Sequence, residues 1–257
     1  MVAVVELHLL GGTVRVHHHG PCPWMKTYDA FRTAHKHGQF EVELVIEVGD
    51  PQLNANQDDF IYRRMDLSFG MNADRTRAHG ISNGSESAFL ALLELTLQGI
   101  VSQLGGVLVH SAGCVTNGEA WLIPGPSGTG KSTAAREAGF SSILSDERVG
   151  LMPSSEGWRV WGTPFWSEGR TLPMEPGSKP LGGLIKLVKH PHFESRELEQ
   201  GTAFVWLMES ITLYDTSPSV RTRAFEIAHQ IVTSHPSFEI NTPRQRIWAR
   251  PADWLAA

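Results

Sequence analysis

Three observations in the sequence predict an α/β protein: a mixed sheet with flanking helices, preceded by a small β-rich module. The stretch Gly125-Pro126-Ser127-Gly128-Thr129-Gly130-Lys131-Ser132-Thr133 fits G-x-x-x-x-G-K-[ST] and follows the apolar run Ala120-Trp121-Leu122-Ile123. A second apolar run, Ser142-Ile143-Leu144, closes in Ser145-Asp146-Glu147, fifteen positions after Lys131. Residues 1–84 contain short stretches of alternating apolar and polar residues, as half-buried strands do.

In the first module, 2–10 and 13–19 flank Gly11-Gly12 like a hairpin, and 40–48 alternates as a strand. A helical patch is expected at 25–36, another strand at 60–69, and a polar loop at 72–85. From 86 to 104 apolar residues recur at three- and four-residue steps, with Ser85 as N-cap and Gly105-Gly106 at the end, which predicts a helix. Strands at 107–116 and 119–123 are joined by Asn117-Gly118, a strong hairpin signal. After the glycine-rich motif come a short helix closed by Gly139, the strand ending in Asp146-Glu147, and a hairpin from 149–152 and 158–161. The glycine- and proline-rich stretch 163–179 is expected to loop over the site. A strand at 184–188, helices at 194–209 and 220–234, and a tryptophan-containing tail at 243–257 that covers the core complete the chain. The expected boundary divides the chain into 1–84 and 85–257.

At 257 residues, with 22 basic and 27 acidic residues and a net charge of −5, the chain has no global field to hold a nucleic-acid backbone. No run of 18 apolar residues suits a membrane span, and residues 1–10 lack the basic leader of a secretory signal, so a cytoplasmic protein is expected. Cys22 and Cys114 stand far apart and suggest no disulfide framework.

The glycine-rich stretch reads as a phosphate-binding loop. Glycines let successive backbone N–H groups point inward, and the following helix adds its positive end. Four fixed positions coincide by accident in roughly 1% of chains this long, and the strand before and helix after make accident rarer still. Gly125, Ser127, Gly128, Thr129, Gly130, Lys131, Ser132 and Thr133 are therefore the expected nucleotide-binding residues. Lys131 would reach the outer phosphates of ATP and the Ser132 hydroxyl a magnesium ion bridging them. A β-α-β unit of this length places Asp146 and Glu147 at the same sheet edge as the loop. There one carboxylate can act as a base and the other hold the metal.

Neither L-S-G-G-Q nor N-K-x-D occurs, which argues against a transporter ATPase and a guanine-specific switch. Val109-His110, the Asn117-Gly118 hairpin, Leu122 through Ser132 and Leu144-Ser145-Asp146-Glu147 together resemble the catalytic core of the HPr kinase/phosphorylase family. That family sits in the phosphoenolpyruvate-carboxykinase-like branch of P-loop proteins. The likeness spans 105–151, with looser echoes at 161–164 and 179–181, and marks 85–257 as the catalytic domain. It implies an ATP- and magnesium-dependent kinase acting on a serine hydroxyl of a protein or peptide. Asp146 would be the base, Lys131 and His110 would lie about the transferred group, and Ser132 and Glu147 would hold the metal. Where the family usually carries Asp-Asp, this chain has Asp146-Glu147. Signatures of the reverse phosphorylase reaction are not recognisable, so the expected acceptors include precursors of ribosomally made peptides, lasso peptides among them. The family also implies self-association. Arg170 or Lys179 would supply a second positive charge. A P-loop NTPase, a nucleotide-responsive binding protein and a small-metabolite kinase remain the alternatives.

His17-His18-His19 with His35 and His37 invites a metal reading, but successive strand residues point to opposite faces and cannot converge on one ion.

Overall fold

The computed structural model describes residues 2–34, 38–51, 60–166 and 174–242. It is a mixed α/β protein of two compact units, Met1–Leu104 with Tyr214–Thr216, and Gly105–Leu213 with Ser217–Ala257. The helix following Ser85 thus groups with the first unit, one element beyond the boundary drawn from sequence.

The first unit is built on a sheet in the order β1-β2-β3-β6-β5-β4. Strands β1 (Val2–Leu9) and β2 (Gly12–His19) form the expected hairpin across Leu10-Gly11, and β3 (Glu41–Val48) runs parallel to β2. The helical patch expected at 25–36 is a 3-10 turn, Pro23–Tyr28, followed by the four-residue α1 (Asp29–Arg32). The stretch 60–69, expected as one strand, turns at Met65-Asp66 and makes two, β4 (Phe60–Arg64) and β5 (Leu67–Met71).

The expected loop at 72–85 contains β6 (Arg77–Ser82), inserted between β3 and β5. Its inward residues, Ala78, Gly80 and Ser82, are too small to register as a hydrophobic alternation. They are small because α2 (Glu86–Gln103) packs against this sheet: a Cβ on Gly80 would lie 2.5 Å from Leu92 Cδ2. Helix α2 starts as expected, with the Ser85 hydroxyl accepting from Ala88 N–H at 3.2 Å. Tyr214 joins this unit by donating its N–H to Gln98 Oε1 at 2.9 Å and its hydroxyl to Glu94 at 3.1 Å.

In the second unit the chain runs through β7 (Val107–Val109), β8 (Ser111–Thr116), β9 (Glu119–Pro124), α3 (Lys131–Glu137) and β10 (Ser142–Ser145). It continues through β11 (Val149–Ser154), β12 (Gly157–Trp161), β13 (Ser178–Lys189), β14 (Glu194–Glu197) and α4 (Gln200–Ser210). Last come β15 (Ile211–Thr212), α5 (Pro218–Ser234) and β16 (Ser237–Thr242). The sheet order is β10-β8-β9-β13-β12-β11-β7-β15, with β16 on β13 and β14 on β16.

Two expectations need correction. The single strand at 107–116 breaks at His110, so that β7 pairs with β11 and β8 with β9. The helix expected over 194–209 begins only at Gln200; its first part is the charged strand β14, whose Arg196 pairs across to Glu239 of β16. Charged residues on an edge strand carry no apolar alternation, and they block edge pairing with another chain.

Both faces of β9 are covered, which explains its unbroken apolar run. Trp121 and Ile123 pack with Ala134, Ala135 and Ala138 on the α3 side. Ala120 and Leu122 pack with Leu207 of α4 and with Ala224, Ile227, Ala228 and Ile231 of α5 on the other. The β8–β9 turn has φ of 53° at Asn117 and 83° at Gly118, the left-handed pair that a type I′ hairpin requires.

No helix among the described residues is long and apolar enough to cross a membrane. Cys22 and Cys114 are free thiols. His17 and His18 lie on opposite faces of β2, and no group of three or more His, Cys, Asp or Glu among the described residues could hold a metal ion. His35, His37, Arg170 and the tail at 243–257 lie outside the described residues.

Candidate active site

Strands β9 and β10 both run antiparallel to β8, which lies between them, so their carboxyl ends meet one sheet edge. The glycine-rich loop leaves β9 there and Asp146-Glu147 leaves β10. The loop has left-handed or near-extended positive φ at Gly125 (138°), Gly128 (84°) and Gly130 (103°). Such angles are open to glycine and are of the kind from which concave nests of amides are built. Gly130 caps α3 without a side-chain hydrogen bond, and the helix opens with Ala134 N–H on Gly130 O at 2.8 Å. Ser127 and Thr133 are exposed, while Ser132 is half-buried.

Lys131 is only 5% exposed, yet its ammonium makes no ion pair among the described residues. It donates to Gly125 O at 2.6 Å and Pro126 O at 3.1 Å. Burial pushes its pKa down; Glu147 opposes this, Arg148 adds to it and Asp146 opposes it. A buried cation held by two carbonyl oxygens has its charge balanced only at longer range, by Glu147 and Asp146.

The acids are fixed by Ser145, a residue the sequence analysis did not single out. Its buried hydroxyl donates to Phe165 O at 2.6 Å and accepts from the N–H groups of Glu147 (3.3 Å) and Arg148 (3.2 Å). Thr163 closes the same turn by donating to Arg148 O. The carboxylate of Asp146 is buried, and its charge acts on both Lys131 and the thiol of Cys114. Burial, with help from Asp146, pushes that thiol far above its ordinary range and makes it inert.

Glu147 Oε1 lies 3.2 Å from His110 Nε2 and 3.4 Å from Arg148 Nη1. The imidazole contact, with Arg148 and Lys131, holds the Glu147 carboxyl below its usual range against the opposing effect of burial. His110 is itself pinned at the β7–β8 corner: its N–H donates to Ser210 O at 2.7 Å, and Ser111 N–H donates to Glu147 O at 3.1 Å. His110, Lys131, Asp146 and Glu147 therefore converge at one edge. Lys179 is engaged elsewhere, with Glu175 at 2.9 Å. The cation beside the acids is Arg148, whose adjacency to the pair was a signal available in the sequence.

Ser132 and Glu147 are of the donor type that magnesium takes, a hydroxyl and a carboxylate whose neighbours favour its ionised form. No family model matches this chain, and no curated protein matches it.

Proposed function

We propose that the protein is an ATP- and magnesium-dependent kinase that transfers the γ-phosphoryl group to a hydroxyl, most simply a serine, of a protein or peptide. The observation that carries this reading is the buried ammonium of Lys131, held by two carbonyls of the glycine-rich loop with no ion pair among the described residues and within the field of Asp146 and Glu147. A polyphosphate supplies close negative charge. The motif likeness to HPr-kinase-type proteins supports the same conclusion.

In this mechanism the loop amides and Lys131 orient the triphosphate, and Lys131 neutralises charge on the outer phosphates. Ser132 and Glu147 would hold magnesium, which when bound would add further charge neutralisation. Asp146 takes the proton of the acceptor hydroxyl as its oxygen bonds to the γ-phosphorus. The bond from that phosphorus to the bridging oxygen breaks, and its electron pair leaves with ADP. His110, beside Glu147, keeps that carboxylate ionised and aimed. A precursor of a ribosomally made peptide is one acceptor of suitable chemistry.

The test uses ATP labelled in the γ-phosphate. Lys131→Ala is expected to lose nucleotide binding, and Asp146→Asn to keep binding while losing transfer by about 10²-fold or more. Normal transfer by Asp146→Asn refutes the base assignment. Label released solely as inorganic phosphate identifies an NTPase, and binding without turnover identifies a nucleotide-responsive binding protein.

A further inference from the structure

A cavity of about 270 Å³ opens beside the first three residues of the loop, Gly125 to Ser127, and is completed by His110 and by Trp206, Glu209 and Ser210 of α4. The α4 residues are spaced i, i+3, i+4, so they present one helix face. This face is fixed against the catalytic edge, because Ser210 O accepts from the N–H of His110.

On the kinase reading, the cavity would lie toward the outer phosphates of the nucleotide. Lys131, the side chain that reaches outer phosphates in such loops, bonds to the carbonyls of Gly125 and Pro126, both of which line the cavity. Gly130, Ser132 and Thr133, where the inner phosphates would rest, do not line it. A volume near 270 Å³ falls short of the roughly 300–1,000 Å³ that enclose a whole small-molecule ligand. It suits one projecting side chain.

Two features describe the occupant. The indole of Trp206 presses on the loop: a Cβ on Gly125 would stand 2.8 Å from Trp206 Cζ2. Lys186 lies over the ring, 5.5 Å from its centroid, and is itself held by Glu239 at 3.1 Å. Trp206 Nε1, next to that loop-facing edge, is buried and has no hydrogen-bond partner among the described residues. A buried donor left unmade is costly, and an acceptor oxygen brought within reach by a small shift of the indole would satisfy it. Glu209 is exposed on the lining and makes no hydrogen bond or ion pair among the described residues. A carboxylate there repels phosphate and attracts a cation.

We propose that this cavity is the acceptor subsite, in which Trp206 Nε1–H donates to an oxygen of the acceptor and Glu209 selects a serine flanked by lysine or arginine. The proposal rests on the kinase reading; the chemistry is the transfer already described, with the hydroxyl proton passing to Asp146.

The test measures binding of two short peptides, a serine flanked by lysines and a serine flanked by glutamates, to the protein saturated with a non-hydrolysable ATP analogue. The lysine peptide is expected to bind about fivefold tighter, the top of the range for one solvent-exposed charge pair, and Glu209→Lys to reverse the order. Trp206→Phe, which keeps an aromatic ring but removes the N–H and part of the indole, is expected to weaken the lysine peptide about five- to tenfold and to weaken the analogue by much less. Equal affinity for the two peptides, or no binding of either while the analogue binds normally, overturns the subsite and leaves the kinase reading standing. A loss of analogue affinity in Trp206→Phe as large as the loss of peptide affinity places the indole in the nucleotide site and also overturns it. Failure of the wild-type protein to bind the analogue sinks the kinase reading instead.

Discussion

Ser145→Ala tests whether the acid-bearing turn is built by one hydroxyl. Ser145 is fully buried and its hydroxyl makes four hydrogen bonds: a short one donated to Phe165 O at 2.6 Å, two longer ones accepted from Glu147 N–H and Arg148 N–H at 3.3 and 3.2 Å, and a long one accepted from the Thr163 hydroxyl at 3.5 Å. Alanine fits the space but strands one carbonyl and two amides. A buried group left unsatisfied costs about 1–3 kcal/mol, and the long pair counts for less than the short bond, so a total of about 2–4 kcal/mol is expected. Urea unfolding should show a lower midpoint at unchanged slope. Nucleotide affinity should stay within about twofold, because the loop amides and Lys131 make no bond to Ser145. Phosphoryl transfer should fall about tenfold or more, since a misplacement of about 1 Å at a reacting group has effects of that size. A variant that is destabilised as expected yet transfers at the wild-type rate refutes the link between this turn and the aim of Asp146. Unchanged stability refutes the hydrogen-bond accounting itself.

Glu147 contributes an acid-sensitive term. Its folded pKa lies below the ordinary 4.5, chiefly through His110, so its stabilisation is fully present above that value and is lost as pH falls through the lower folded value. Wild type should therefore exceed Glu147→Gln in thermal midpoint near neutrality, with the gap closing below about pH 4; a constant gap excludes the ionised pair as its source. Two glycines of positive φ should behave differently. Gly118, at 83° with open space around it, should cost about 1 kcal/mol on change to alanine, with nucleotide binding unaltered. Gly125, at 138° and against Trp206, should cost about 1–3 kcal/mol and also impair nucleotide binding, measured by titration with an ATP analogue. Equal behaviour of the two variants would remove the indole contact from the account of the loop.

The parts of this protein that sequence discloses are those whose signal is local. Asn117-Gly118 demands a left-handed pair wherever it falls between strands, and the loop's glycines and Lys131 are contiguous. The acids of β10 could be placed beside them because a short crossover leaves little choice of edge. β6 was hidden because its inward residues had to be small to admit Leu92, so packing itself erased the alternation. Residues 194–199 were absorbed into a helix because a charged edge strand looks like a solvated helix face, and the true start of α4 at Gln200 was lost with them. With α4 correctly bounded, Trp206, Glu209 and Ser210 line up on one helix face, but nothing local says that this face meets the loop; the meeting is made by His110 N–H on Ser210 O and by the indole against Gly125. The phosphate side of the site is thus written in one motif, while the opposite wall is assembled from residues some seventy positions further on. A loop of this kind needs its amides in fixed places to grip a triphosphate, and so constrains sequence tightly. The wall facing it needs only a surface matched to one acceptor, and its chemistry becomes visible when packing brings an unpaired N–H and an unpaired carboxylate to the same small cavity.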